Sequence, residues 1–349
     1  MTLVLRTGPV SARLARRPLA VGAVAAAITA ALAVVSLGSG EYPIAPDRIL
    51  ATLAGSGEAT ETLVVTELRL PRLLLGLVVG AMLGLSGALV QTTARNALAS
   101  PELLGVTGGA SVGAVAVIVL GGTGGFASAL DGVGTTAAAL VGGLLSAAVV
   151  AAVLRATSGG ALQLVLVGVG VSATVGGLTS WLIVEASIDD AERASAWLMG
   201  SLGGRGAEEL HLAAITLALV VVALLPLAPA LPSLHLGGDT ARTLGHRVGP
   251  ATTGLLLLAV ALASVAAATA GPIGFVALVA PHLARLAGAA PRAPLLLSAI
   301  VGAALVTASD LVARAAFAPL TLPTGAVTAI VGAPFLVWLL LRQRKGVTP

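Results

Sequence analysis

The stretch RLLLGLVVGAMLGLSGALVQTTAR (Arg72–Arg95) decides the fold. Between its two arginines run 22 residues without a charge. About 20 apolar residues are needed for an α-helix to cross the hydrocarbon core of a bilayer. Outward from it the pattern repeats. Cutting the chain at its charged residues leaves nine long uncharged stretches: 18–40, 73–94, 103–130, 132–154, 156–184, 210–238, 248–284, 293–309 and 315–341. Eight hold one helix each. The stretch 248–284 is long enough for two and is broken by GPIG at Gly271–Gly274. Ten spans result, and an even number puts both termini on one side.

Charge orients them, because cytoplasmic segments carry an excess of Arg and Lys. With the N-terminus inside, 13 of the 19 basic residues fall in inside segments. The other six, Arg48, Arg69, Arg72, Arg193, Arg205 and Arg314, fall outside. Of the 15 acids only Glu102 and Asp239 fall inside. A wrong helix count would scramble this segregation, so it supports count and orientation together. Composition agrees: 57% of the 349 residues are hydrophobic and 10% charged, with a mean hydropathy of +1.04, where soluble domains carry about 25% charged residues. The net charge of +4 does not indicate nucleic-acid binding, since the basic residues form short clusters between apolar runs and no stripe. Arg6, Arg13, Arg16 and Arg17 precede the first apolar run as in a signal peptide. That run, 18–40, exceeds a signal h-region of roughly 7–15 residues, and it reads as a retained first span.

Three local features stand out. Gly76, Gly80 and Gly84 form a GxxxGxxxG row continued by Ala88; small residues let helix backbones approach where lipid supplies no hydrophobic drive. GPIGFVALVAP (Gly271–Pro281) reads as a short or broken helix, tolerated at membrane depth only against protein or a water-filled cavity, and such helices often line transport paths. Leu70-Pro71 and Leu322-Pro323 each open an inward-running helix with a Gly-Ala pair nine residues after the proline, an echo suggesting duplication. The longest inside loop is PALPSLHLGGDTARTLGHRVGP, residues 229–250. A short helix is expected within it, capped by Asp239, with Leu244 on one face and Gly245 as its stop.

Catalytic chemistry is missing. The single lysine, Lys345, follows Arg344, so no P-loop is present, and ATP, if it drives transport, must be bound by another chain. There is no cysteine, and His211, His235, His246 and His282 form no HExxH pair; no metal site, cofactor or catalytic residue is expected. His282 beside Pro281 fits a structural histidine better than a proton relay. Asp310 and Arg314, four residues apart near the outer end of the ninth span, can pair with each other.

The motifs resemble a known family. Leu68–Ala110 is similar to the signature of FecCD-type permeases of iron-siderophore, haem and vitamin B12 ABC importers. AGPIGFVALVAPHLARLAG (Ala270–Gly288) and SDLVARAAFAPLTLPTGAVTAIVGAPFLVWLL (Ser309–Leu340) resemble its second and third signatures, and LGGDTARTLG (Leu236–Gly245) its coupling segment. Trp181–Gly206 and the opening VLRTGPVSARLARRP look most like catecholate, enterobactin-type permeases. Two departures stand out: Ala97 replaces the usual proline after Asn96, and Ala207 replaces a tryptophan often found after GRG.

The resemblance implies an all-α integral membrane protein of about ten transmembrane helices, both termini cytoplasmic, in the vitamin B12 permease-like type II ABC importer fold. The whole chain, 1–349, would be one permease domain of the cell membrane, with a cytoplasmic coupling loop over 230–249. Its implied partners are membrane lipid, cytoplasmic ATP-binding subunits, an extracytoplasmic siderophore-binding protein and a second permease subunit, identical or not. Arg69, Arg72 and Arg314 would receive acidic residues of the binding protein. Asn96 and Leu98 would form the inner gate. Gly238, Asp239, Thr240, Ala241, Leu244 and Gly245 would couple to the ATPase. The expected cargo is a ferric siderophore, with haem or cobalamin as the alternative in the family. A secondary transporter on an ion gradient is disfavoured by the scarcity of acids inside the spans.

Overall fold

The computed structural model describes residues 2–7, 10–121, 134–156, 161–289, 293–316 and 321–344. A short antiparallel hairpin, β1 (Thr2–Thr7) and β2 (Val10–Ala15), precedes the helical body. It is an addition to the all-α expectation, in a segment that the apolar-run analysis left unassigned. The helices follow in chain order. They are α1 (Arg16–Gly38), α2 (Pro46–Leu53), α3 (Ala59–Thr62), α4 (Leu70–Ala94), α5 (Val106–Leu120), α6 (Thr135–Ala156), α7 (Ala161–Glu185) and α8 (Ile188–Leu198). Then come α9 (Ala207–Leu224), α10 (Ala230–Leu236), α11 (Gly238–Thr243), α12 (Val248–Ala270), α13 (Val276–Gly288), α14 (Leu295–Ala315) and α15 (Thr324–Arg344). Eight of the described helical segments are long and apolar enough to cross a membrane, and α5 and α13 are shorter apolar helices. The ten expected spans are therefore all represented. The segments between them carry the short helices α2, α3, α8 and α11, and a further one, α10, lies at the end of the uncharged stretch 210–238.

α4 is the most enclosed span and α1 the most peripheral. α4 packs against α14, α12, α13, α9 and α1, and its glycine row makes this possible. A Cβ at Gly80 would overlap the Gly302 carbonyl, one at Gly84 the Ser298 carbonyl, and one at Gly302 the Gly80 carbonyl. The contact between α4 and α14 is thus backbone on backbone. Gly76 faces a side chain instead, Leu202. Two buried polar side chains close the remaining seams: Ser86 Oγ donates to the Ala259 carbonyl (2.6 Å) and Gln91 Nε2 to the Leu278 carbonyl (3.2 Å). Each satisfies a group that would otherwise be costly to bury in a low-dielectric core.

The break in the 248–284 stretch lies where the sequence placed it. α12 ends at Ala270, and Gly271 takes φ 72°, a conformation that favours glycine. α13 has 13 residues, about 20 Å long, well short of the roughly 30 Å hydrocarbon thickness. Pro281 does not end it, as the bracketed reading expected, but lies inside it. Proline has no N–H to give the carbonyl four residues earlier, here that of Ala277. Gly87 of α4 comes up against that carbonyl, where a Cβ would overlap it. At the start of α13, Phe275 adopts φ 67° and sets its side chain against Gly332 of α15. Pro71 is the second residue of α4 and Pro323 directly precedes α15, so both halves of the sequence echo do open helices.

Candidate docking, gating and coupling sites

At the outer end of the bundle, Arg69, Arg72 and Arg314 converge. Between α3 and α4 the chain runs as a π-helix (Leu63–Arg69) that delivers Arg69 to the start of α4. Arg72 lies one turn into α4, and Arg314 lies in the last turn of α14. Arg72 and Arg314 meet Asp310, which is 3% exposed. Arg72 donates from Nη2 to Asp310 Oδ1 (2.7 Å) and from Nε to both oxygens (3.1 and 3.2 Å). Arg314 Nε donates to Asp310 Oδ2 at 3.0 Å, and Thr324 Oγ1 of α15 donates to Oδ1 at 3.1 Å. The pairing of Asp310 with Arg314 is thus as the four-residue spacing suggested. Arg314 also reaches Ser36 Oγ on α1 (2.7 Å), and Arg69 donates to the carbonyls of Leu37 and Tyr42 (both 2.7 Å). Cations at the C-terminal end of α1 meet its free carbonyls and the negative end of its dipole.

Three other outside acids serve nearby arginines in the same way. Arg48 of α2 pairs with Glu58 and Glu61 (2.7 and 2.9 Å), and Arg193 pairs with Asp190 within α8. Glu61 and Asp310, both buried, are paired with arginine. Next to Arg72 opens a cavity of about 380 Å³ lined by Glu192, Ser195, Ser201 and Thr321, among others. Its wall is stitched by backbone bonds from Ser201 to Ala270 (2.8 Å) and from Gly325 to Gly200 (3.0 Å). The outer loop after α8 is thereby tied to the α12–α13 break and to the start of α15.

At the inner end, α4 stops at Ala94 and Arg95 takes a left-handed conformation, φ 51°. Asn96 Oδ1 accepts from the Leu98 N–H at 2.9 Å, an Asx-type turn that fixes the bend. Asn96 and Leu98 are both half-buried. A 3₁₀ turn, Pro101–Leu104, follows before α5. Within it, burial pushes the Glu102 carboxyl above its ordinary value, opposed by a hydrogen bond from Ser100.

The 229–250 loop holds two short helices, α10 and α11. The expected helix is present, but its capping differs. Gly237, with φ 122° and ψ 151°, is the N-cap, and Asp239 lies inside the first turn, bonded to Arg242 at 2.6 Å. Two consecutive glycines allow the sharp exit from α10 that moves the start back by two residues. The two faces also divide differently. Ala241 is fully buried against the body of the chain, whereas Leu244 is 61% exposed. Leu244 is therefore presented mainly outward, and Ala241 is the residue that seats the helix. Thr240 is exposed, and Gly245 ends the helix with φ 84°.

His282 is buried in α13; its Nδ1 lies 3.2 Å from Arg285 Nη2, and its ring meets Phe335 edge-on with centroids 5.8 Å apart. With an arginine as its polar neighbour it has the surroundings of a packed structural histidine. No group of three or more metal-ligating side chains occurs among the described residues. Sequence reasoning missed the pairing of Arg72 with Asp310, which lies across 238 positions, and the contribution of Ser36. No local signal connects these residues.

Comparison with known proteins gives a consistent result. A family model described as the FecCD transport family matches residues 28–342. The chain is 35% identical over 310 residues to the ferric enterobactin transport system permease protein of Escherichia coli (strain K12), covering 88% of this chain and 92% of that one. It is 39% identical over 316 residues to the Fe(3+) dicitrate transport system permease protein FecD of the same organism, covering 90% and 96%. It is also 39% identical over 347 residues to the cobalamin import system permease protein of Halobacterium salinarum, covering 98% and 90%. Among solved structures, the chain is similar to a metal-chelate type ABC transporter described in an inward-facing conformation, with a TM-score of 0.77 and 28% identity, over 93% of this chain and 99% of that one.

Proposed function

This chain belongs to the FecCD transport family, and from that premise we propose that it is the permease subunit through which an ATP-driven importer passes ferric siderophores across the cell membrane. The carrying observation is the family match over nearly the whole chain, joined to ten apolar helices and iron-chelate permeases among its relatives. The permease is a multi-pass membrane subunit; in such importers ATP is hydrolysed by a separate subunit and cargo is delivered by a binding protein. A second permease subunit is proposed to complete the path. Cobalamin is the second reading, favoured by the 39% identity to a cobalamin permease over 98% of this chain. Uptake of radiolabelled iron as a ferric catecholate, ferric citrate or haem, and of labelled cobalamin, in a strain deleted for this chain separates these cargoes. Loss of cobalamin uptake with iron uptake intact would overturn the siderophore reading.

An ion-gradient mechanism needs an acid free to take up and release its ion, and Glu61 and Asp310 are held by arginines. With eight aromatic residues in the whole chain, the path has few rings to stack on a cargo. It is read as a passage with little grip on a large hydrophilic cargo.

Three sites are assigned on this reading. Arg69, Arg72 and Arg314 form the docking surface for acidic side chains of the binding protein; the planar guanidinium suits a carboxylate in two places at once. Changing each in turn to Glu is expected to weaken binding-protein affinity by about tenfold or more, measured on the reconstituted transporter. Unchanged docking in all three variants would remove the assignment. Asn96 and Leu98 form the inner constriction, the Asx turn holding Leu98 at the bend. Cysteines at position 98 of both protomers, once crosslinked, are expected to block uptake and to release it on reduction. Full-rate import by the crosslinked dimer would sink this gate. The third site, the loop 230–249, couples to the ATPase through Gly238–Gly245, with Leu244 presented outward.

A further inference from the structure

Two guanidiniums, those of Arg72 and Arg314, share one carboxylate at the outer end of the bundle, and the carboxylate is the buried member. One carboxylate neutralises one guanidinium, so the cluster keeps an excess of positive charge. Arg72 and Arg314 come from different spans and would repel each other at this distance without the shared acid. Asp310 spends both oxygens on them: Arg72 takes the carboxylate side-on, Arg314 takes Oδ2 through Nε, and Thr324 fills the remaining direction on Oδ1. Hydrogen bonds of this charged, two-point kind are strong and directional. A free arginine side chain samples many rotamers, and these two are held in one arrangement before anything docks. Arg72 nonetheless keeps 23% of its side chain exposed and borders the cavity shared with Glu192 and Ser195.

We propose that Asp310 is a positioning residue for docking: it pre-orders Arg72 and Arg314 for a partner's carboxylate and links their engagement to four spans at once. The links are α4 through Arg72, α14 through Arg314 and Asp310 itself, α15 through Thr324, and α1 through the Arg314–Ser36 bond. The proposal rests on the docking reading of the arginines given above.

The test separates position from charge. Asp310→Asn makes the outer face more positive by one charge, so attraction alone predicts tighter docking of an acidic partner. Positioning predicts the reverse: affinity of the binding protein for the reconstituted complex falls by about tenfold, and Asp310→Glu recovers part of it. A double-mutant cycle adds a second readout. Arg72→Gln should cost far less in the Asp310→Asn background than in the wild type, because its guanidinium is already out of place. Equal or tighter docking by Asp310→Asn, or strict additivity with Arg72→Gln, overturns the proposal. If Asp310→Asn fails to assemble, Thr324→Val decides, since it removes one bond to Oδ1 and keeps the shape of the side chain. A loss of about threefold in affinity is expected, and unchanged affinity overturns the proposal. The docking reading fails separately: it falls if Arg69→Glu, Arg72→Glu and Arg314→Glu all dock like the wild type. If those variants lose docking while Asp310→Asn keeps it, only the role of Asp310 is lost.

Discussion

Valine in place of Gly80 is expected to yield little or no folded protein. The Gly80 Cα faces the Gly302 carbonyl and the Ala303 Cα, and Gly302 in turn faces the Gly80 carbonyl. Added atoms therefore meet backbone, which cannot change rotamer to make room. Overpacking against movable side chains costs about 1–3 kcal/mol. Here the upper end or beyond is expected, because α4 and α14 would have to separate along their length. Loss of this contact also pulls apart the two helices that carry Arg72 and Asp310. The measurement is the yield of monodisperse protein in detergent and its thermal midpoint. Gly22→Ala is the matched control: nothing lies within 4 Å of the position, and exchanging a helical glycine for alanine gains about 0.5–1 kcal/mol. A wild-type midpoint for Gly80→Val would show that α4 and α14 do not touch through their backbones.

Leu244→Asp is expected to cut uptake by at least about tenfold, a coupling loss of roughly 1.4 kcal/mol, while the complex still assembles and hydrolyses ATP. The side chain is 61% exposed at the end of α11, so the membrane fold should tolerate the change. A rigid packed contact is needed there, since a floppy one would absorb the motion of the ATPase before it reached the spans. Ala241 is not an equivalent probe. It is fully buried, and a bulky or charged residue there would unseat α11 and confuse folding with coupling. Assembly, ATPase rate and uptake are compared in the same reconstituted complex. Normal uptake with normal assembly would place the coupling contact elsewhere on the inner surface, with the bend at Asn96 the next candidate.

Much of the architecture was legible because the bilayer imposes one strong rule: backbone polar groups must be satisfied within each crossing segment. Length and charge therefore located the spans, and Gly271-Pro272 located the break in the stretch that holds α12 and α13. The short helices α2, α3, α8, α10 and α11 were harder to read. α2, α3, α8 and α11 mix polar and apolar residues with no long apolar run to mark them, and α10 is hidden inside the uncharged stretch 210–238 that also holds α9. The start of α11 was misplaced for a related reason. A cap is a property of backbone angles, and Gly237 at φ 122° outweighed the favourable chemistry of Asp239.

By itself the sequence determined that this chain lives in a membrane, how many times it crosses, which side its termini face and which glycines are placed for close packing. These follow from run length, charge bias and residue spacing, all local quantities. Only the tertiary structure decided what those glycines touch, that Ala241 faces inward and Leu244 outward, and that Arg72 shares Asp310 with Arg314. The physical reason is distance along the chain. A carboxylate's partner 238 residues away is chosen by how helices cross, and helix crossing depends on the combined packing of many small residues that no single stretch records.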